Sequence, residues 1–158
     1  MRKTVQMIQR TQTIYLFLAF ISALLIFFFP LLSFTQPDGH MWTLLDNGIL
    51  TDTQKDPELR TVSLQILIGL VTLLPLISIF LYRKRHIQMR LTIYCMILLI
   101  GLLGMLALYG WKLSISLDAT VHIRFITIMP LIAFIFNLLA FRGIRRDDLL
   151  IKGLNRIR

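Results

Sequence analysis

The sequence is poor in cysteine and in charged residues. It holds one cysteine among 158 residues, and only 16% of the residues are charged, against about 25% in a typical soluble domain. The single Cys95 excludes an intrachain disulfide, and its apolar neighbours favour a buried structural thiol over a reactive one. Hydrophobic residues make up 56% of the chain, and the mean hydropathy is +0.74. This composition excludes an ordinary soluble domain.

The apolar residues are gathered in four long blocks that are nearly free of charge. A hydrocarbon core about 30 Å thick needs about 20 helical residues to cross it, with a range of about 17–25. Backbone polar groups must bond within the segment in lipid, so each block is predicted to be a helix. The predicted spans are residues 13–34, 62–82, 91–111 and 123–141. The predicted fold class is an all-α membrane protein: one domain, residues 1–158, with four transmembrane helices in an antiparallel bundle.

The distribution of basic residues predicts which way the chain faces. Thirteen of the 17 Lys and Arg lie before the first block, between the second and third, or after the fourth, with only Asp147 and Asp148 as acids there. Basic loops stay on the cytoplasmic side. Both termini are therefore predicted in the cytoplasm of a bacterial inner membrane, with residues 35–61 and 112–124 outside. We interpret the basic clusters as contacts to anionic lipid headgroups and not to nucleic acid.

The first block raises the question of a cleaved signal peptide. Its apolar run, residues 14–34, exceeds the 7–15 residues that are typical of a signal h-region. No clear A-x-A-like cleavage motif follows it. We therefore expect the block to remain in the protein as the first span.

The two outer loops carry strand signals. In the first, Asn47-Gly48 stands between apolar stretches, which is a strong local signal for a β-hairpin. In the second, residues 113–118 alternate between apolar and polar, which is the period of a half-buried strand. A lone hairpin is marginal in water, so the hypothesis is that the two loops pair into a small extracytoplasmic β cap.

The predicted spans contain no ionisable residue at mid-depth, where a transporter holds its ion or substrate. Gln65 and Asn137 are interpreted as groups that form hydrogen bonds between helices. Pro75 is expected to kink the second span. In the third span, Gly101, Gly104, Ala107 and Gly110 are expected to allow close helix approach, and in the fourth, Ala133 and Ala140 are expected to form a seam. The alternative is a channel lined by Asn137 and Gln65.

The segment after the fourth span, residues 142–158, alternates apolar and basic residues at helical spacing. It is predicted to form a cytoplasmic amphipathic helix that lies on the membrane surface or docks on a partner protein. The sequence contains no H-x-x-H motif, nucleophile–base pair or phosphate loop. We therefore expect no catalytic residue, no cofactor and no metal site, although Asp38, His40 and His122 would meet if the outer loops packed together.

The two ends of the chain carry a family resemblance. The stretches "MIQRTQTIYLFLA" and "RGIRRDDLLIKGLNRIR", on either side of four spans, resemble a small integral membrane family common in Bacteroidota, a domain of unknown function numbered 4293. The shared features fall on Met7, Ile8, Gln9, Arg10, Gln12 and Thr13, and on Arg142, Arg145, Arg146, Asp147, Asp148, Arg156 and Arg158. Six residues precede Met7, which departs from the usual start of the family. The resemblance implies an envelope location and this fold, but no mechanism.

Both recognised segments lie on the cytoplasmic side of the predicted topology. The hypothesis is that they form one platform, in which Gln9 and Gln12 bond to helix ends and Asp147 or Asp148 pairs with Arg10. The candidate residues of this platform are Gln9, Arg10, Gln12, Arg145, Arg146, Asp147 and Asp148. The expected function is that of an accessory, scaffold or assembly subunit, with a membrane-protein partner or as a homo-oligomer. A small transporter or channel is the main alternative, and an envelope enzyme is a weaker one.

Overall fold

The computed structural model describes the backbone of residues 2–45, 48–51, 61–82 and 84–155, and the side chains of residues 12–45, 61–82, 84–116 and 118–149. The described chain forms four long helices and a small sheet. In order, the elements are α1 (Arg2–Phe28), β1 (Leu32–Thr35), β2 (Met41–Leu45), β3 (Gly48–Thr51), α2 (Val62–Phe80), α3 (Arg85–Leu117), β4 (Thr120–Ile123), a 3-10 turn (Phe125–Ile128) and α4 (Met129–Asn155). The sheet covers one end of the bundle, the sheet end; residues 81–84 join α2 to α3 at the other, the linker end.

The helices present large apolar side chains to their surroundings. Phe17, Ile66, Ile97 and Ile135, one from each helix, are between 48% and 59% exposed. A helix that is apolar on its outward face as well as its inward face is typical of a membrane span. Three helical segments are long and apolar enough to cross a membrane: Val62–Phe80, Arg85–Ser116 and Phe125–Leu149. The described apolar part of α1, Gln12–Phe28, is shorter.

The sheet has four strands in the order β3-β2-β1-β4, and each neighbouring pair is antiparallel. β1 lies at the centre, with Ser33 opposite Thr43 of β2 and opposite His122 of β4. Both predicted outer loops contribute strands to one small sheet, as expected, but they do not pair with each other directly, because β1 lies between β2 and β4. The predicted hairpin is also present, but Gly48 pairs with Leu45 as a strand residue. The connection is therefore formed by residues 46 and 47, which lie outside the described residues.

The predicted boundaries of the first span and of the strand in the second outer loop were wrong. The first span was predicted to continue to residue 34, whereas α1 ends at Phe28 and residues Leu32–Thr35 form β1. Pro30 explains this difference, because its ring removes a backbone donor and disfavours helix in the preceding residue. The residues of the predicted strand at 113–118 instead form the end of α3, which ends at Leu117 and is followed by Asp118 in the left-handed conformation with φ 47°.

The core is apolar at the sheet end and in the middle of the bundle. Phe34 and Leu44 project from the sheet into a cluster with Ile26, Ile68 and Leu102 of the helices, and all five are fully buried. A second buried cluster lies further from the sheet, towards the middle of the bundle. Its residues are Ala23, Val71, Cys95, Leu99 and Ala133. The inner face of the sheet therefore closes one end of the bundle with hydrocarbon side chains.

The fourth helix continues through the segment that was predicted to be a cytoplasmic amphipathic helix on the membrane surface or on a partner protein. α4 runs without interruption from Met129 to Asn155, and both Ile144 and Asp147 are buried against the bundle. The prediction of a surface-lying tail was therefore wrong up to residue 149. The change in composition at Arg142 marks a change in the exposed face of the helix, while the buried face continues. Side chains beyond residue 149 lie outside the described residues.

The small residues of α3 and α4 lie in different surroundings. Ala133 and Ala140 are fully buried, so the predicted seam on α4 is present. Gly101 and Gly104 of α3 are exposed, and a Cβ added at either would meet nothing within 4 Å. The expectation that they permit close packing within the bundle was therefore wrong. Gly110 does make a close contact, since its Cβ would lie 3.4 Å from Leu32 Cδ1.

Candidate functional site

The linker end differs from the rest of the interior because it is polar. Each helix contributes a buried polar side chain near this end: Gln12 of α1, Ser78 of α2, Gln88 of α3 and Asp147 of α4. Each is more than nine-tenths buried. Since α2 and α3 are joined by residues 81–84, Ser78 and Gln88 lie at similar distances from the turn. The linker end therefore combines burial with unusually high polarity.

Gln12 packs directly against the backbone of α4. A Cβ added at Gly143 would lie 2.9 Å from Gln12 Cγ, which is closer than real Cβ atoms approach. Gly143 is thus the position that makes room for the Gln12 side chain. The contact lies within the α1–α4 interface, the most extensive interface between elements of the described chain. A glycine in the middle of a helix costs about 1 kcal/mol relative to alanine, so its presence here is explained by this close approach.

An ion pair and a neighbouring contact between His86 and Asp148 join α3 to α4. Arg85 Nη1 lies 3.4 Å from Asp147 Oδ2, and His86 Nε2 lies 3.8 Å from Asp148 Oδ1. The first pair is the more buried, since the side chains of Arg85 and Asp147 are 19% and 5% exposed. Its atoms are at ion-pair distance but are not aligned as a hydrogen bond. Buried ion pairs of this kind fix the geometry of the helices that they join, because breaking one leaves an uncompensated charge.

Several buried polar atoms, most of them near this end, have no hydrogen-bond partner among the described residues. They are Gln12 Nε2, Ser78 Oγ, Asn137 Oδ1 and Asp147 Oδ2. Buried polar groups are normally bonded to protein or to ordered water, and a missing bond costs about 1–3 kcal/mol. The same end of the bundle thus holds unused hydrogen-bonding capacity that water can fill.

The two polar residues that were predicted to line a path lie in different places. Asn137 is buried and donates through Nδ2 to the carbonyl of Ala133 at 3.0 Å, within its own helix. Gln65 is exposed on the outer surface of α2 near the sheet end. Ile68, Val71 and other apolar residues fill the core between these levels. Within a single bundle, the structure therefore does not bring Asn137 and Gln65 together.

The candidate platform residues are partly brought together. Gln12, Asp147 and Asp148 all lie at the linker end, whereas Arg145 and Arg146 project from the exposed face of α4. The side chains of Gln9 and Arg10 lie outside the described residues, so the pairing of Arg10 with Asp147 stays a prediction. The partner that the structure assigns to Asp147 is Arg85. That these residues act as a platform also stays a prediction.

Sequence reasoning missed the residues of α3 and the glycine of α4 that complete this end. Arg85 and His86 were interpreted only as part of a basic loop, and Gly143 was not singled out. A signal was present: consecutive basic residues lie in the link before the third predicted span, and consecutive acids lie in the segment after the fourth. We name the set Gln12, Arg85, His86, Gly143, Asp147 and Asp148 the linker-end cluster. In the described part of the chain, no group of three or more His, Cys, Asp and Glu side chains is placed to hold a metal ion.

These features define a class: a helical membrane protein with a small antiparallel sheet over one end of the bundle and a polar cluster at the other. The chain belongs to the family described as domain of unknown function DUF4293, whose sequence profile matches residues 8–157. The family assignment based on the two terminal motifs is confirmed. No curated protein matches the chain.

Proposed function

We propose that the protein is a non-catalytic subunit of the bacterial inner membrane, with an accessory, scaffold or assembly role in a membrane complex. The observation that carries the proposal is the linker-end cluster, whose polar groups join α1, α3 and α4 beside an exposed basic surface. The exposed basic residues of this surface are Lys84, Arg90, Arg142, Arg145 and Arg146. A fixed basic surface of this kind suits anionic headgroups or an acidic face on a partner protein.

The proposal includes four spans with both termini in the cytoplasm. In this proposal α1 crosses the membrane as well as the three longer apolar segments, because its residues Ile14, Phe17 and Phe28 are exposed and apolar like those of the other helices. The excess of basic residues at the linker end then sets the orientation, with the sheet on the extracytoplasmic side.

Single introduced cysteines test this orientation. We expect His122→Cys, on the sheet, to react with a membrane-impermeant maleimide in intact spheroplasts. We expect Arg145→Cys, at the linker end, to react only after the membrane is opened. The native Cys95 does not interfere, because it is 1% exposed. Reaction of Arg145→Cys in sealed spheroplasts, with His122→Cys protected, would reverse the proposed topology.

A small transporter or channel is the second candidate. The buried polar atoms without partners, Asn137 Oδ1 among them, favour it, because a wet path needs such groups. The apolar clusters between Asn137 and the sheet argue against a path through one bundle. A path between copies of the chain would instead require exposed Gln65 to face a neighbouring copy.

Affinity purification in mild detergent after cross-linking of native membranes separates these candidates. The scaffold proposal predicts a stoichiometric membrane-protein partner, and the Arg145→Glu/Arg146→Glu variant is expected to reduce its recovery severalfold. Lys112→Glu, at the sheet end, is the matched control and is expected to leave recovery unchanged. Purification of a homo-oligomer that carries solute flux in liposomes would instead support the channel.

A further inference from the structure

An apolar groove lies on the outside of the bundle at the sheet end. It runs between α3 and the edge of the sheet and has a volume of about 410 Å³. Ala107, Gly110 and Trp111 of α3 form one side, and Leu32, Ile123 and Thr127 line the other. Pockets that hold small molecules in proteins have volumes of about 300–1,000 Å³. The groove is therefore large enough for a ligand and is open on the outside of the bundle.

The residues that line the groove are almost all apolar. Its two polar side chains are already bonded to backbone carbonyls: Ser114 Oγ donates to Ala119 O at 2.7 Å, and Thr127 Oγ1 donates to Leu31 O. A polar solute would lose its hydration here without gaining hydrogen bonds. The occupant must therefore be apolar over the length of the groove.

The length of the groove along α3 indicates which kind of apolar ligand it suits. Its lining residues on α3 extend from Leu103 to Ser114, which is about 16 Å along the helix at 1.5 Å per residue. Spread over that length, the volume corresponds to a mean cross-section of about 25 Å². A groove of this length suits a single extended hydrocarbon chain.

An exposed cation, Arg124, directly follows the lining residue Ile123. Arg124 stands between the lining residues Ile123 and Thr127, is exposed, and donates through Nε to Ser33 Oγ at 3.1 Å. No carboxylate of the described residues pairs with it. Ser33 alternates with the lining residue Leu32 along β1, so the bond holds the guanidinium on the other face of the sheet, with its terminal nitrogens available as donors. Guanidinium groups bind phosphate oxygens through two parallel hydrogen bonds.

We propose that the groove binds one acyl chain of an anionic phospholipid, with the lipid phosphate at Arg124. The chain lies parallel to α3, in the direction that lipid chains take in a bilayer. Trp111, which is 68% exposed, stands at the interfacial level where tryptophan is enriched in membrane proteins. The site is at the opposite end of the bundle from the linker-end cluster and does not depend on the function proposed for that cluster.

Trp111 provides the test, because it lines the groove and is quenched by bromine on a neighbouring acyl chain. The full chain is reconstituted in phosphatidylcholine vesicles that contain brominated phosphatidylglycerol or, separately, brominated phosphatidylcholine. A Trp111→Phe variant gives the contribution of Trp42 to the fluorescence. We expect phosphatidylglycerol to be preferred about fivefold at Trp111, the factor that corresponds to about 1 kcal/mol for one basic residue at an anionic lipid surface.

Two variants and a control make the result specific. Arg124→Gln is expected to reduce the preference for phosphatidylglycerol to near unity, and Ala107→Phe, which fills the groove, is expected to reduce quenching by both lipids. Gly101→Phe, on the same helix but outside the groove, is expected to change neither. Equal quenching by the two lipids in the unmodified protein, or a preference that survives Arg124→Gln, would overturn the proposal. Loss of quenching with Gly101→Phe together with a change in oligomeric state would show that a helix covers this face.

Discussion

Replacing Arg85 with methionine is expected to destabilise the folded protein by about 3 kcal/mol, because it leaves the Asp147 carboxylate buried and unpaired. Asp147→Asn should cost less, about 1 kcal/mol, because the Arg85 side chain is 19% exposed and can turn towards water. The double variant Arg85→Met/Asp147→Leu should recover most of the loss, since replacing both partners by apolar groups removes the buried charge. The thermal unfolding midpoint, followed by reaction of buried Cys95 with a thiol-reactive dye, measures all three.

The same series decides between two partners for Asp147. If Arg10 is the partner, as the sequence predicts, Arg10→Met should cost as much as Arg85→Met and should also be rescued by Asp147→Leu. If the structure's pairing holds, Arg10→Met should cost much less than Arg85→Met and should not be rescued by Asp147→Leu. Independent, additive losses from Arg85→Met and Asp147→Leu would contradict the pairing of these two residues.

Replacing Gly143 with valine is expected to destabilise the protein by about 2–3 kcal/mol, although a glycine in a helix is usually improved by a larger residue. The reason is the contact with Gln12, whose Cγ would lie 2.9 Å from a new Cβ. Gln12 is only 7% exposed, so its side chain has little space to move away. The unfolding midpoint measured through Cys95 is again the readout.

Two comparisons identify the cause of that loss. Gly101→Val is the matched control, because a Cβ there meets nothing within 4 Å, and we expect it to be neutral or slightly stabilising. Gln12→Ala should rescue Gly143→Val by removing the atoms that a valine side chain would strike. A Gly143→Val variant as stable as the unmodified protein would mean that α1 and α4 do not approach each other so closely.

The helices could be predicted because hydrophobicity is a property of the sequence alone. The second predicted span, residues 62–82, agrees closely with α2 (Val62–Phe80), and the third lies inside the longer α3 (Arg85–Leu117). The residues at which the helices end were harder to predict. Leu32 and Phe34 are as apolar as the span before them, so the composition did not show that they belong to a strand. Pro30 was the available signal, and its effect on the helix end was underestimated.

Other boundaries failed because short patterns have two explanations. The alternation in residues 113–118 fits a strand, but six residues also fit the last turns of a helix, and α3 simply continues through them. Arg142 begins a basic segment that looked like a separate tail. What the composition could not show is that Ile144 and Asp147 follow the buried face of α4, with Ala140 one turn earlier.

Only part of the linker-end cluster was predicted from the sequence. Asp147, Asp148 and Gln12 were identified, but their partners depend on which helices are neighbours and on how they are shifted along one another. Arg85 meets Asp147 across 62 positions in the sequence only because α3 and α4 pack side by side. A single sequence contains no direct record of such a shift, so the pairing required the structure.

The position of β1 in the sheet has a consequence for biogenesis. β1 follows the first helix, yet one of its two neighbours, β4, immediately precedes the last, so that Ser33 meets His122 across 89 positions. During synthesis the first three helices are made before β1 can pair with β4. The bundle therefore stays open along one side until the final helix has been synthesised and inserted. In that interval an insertion factor or a partner protein has access to helix surfaces that are buried in the folded protein.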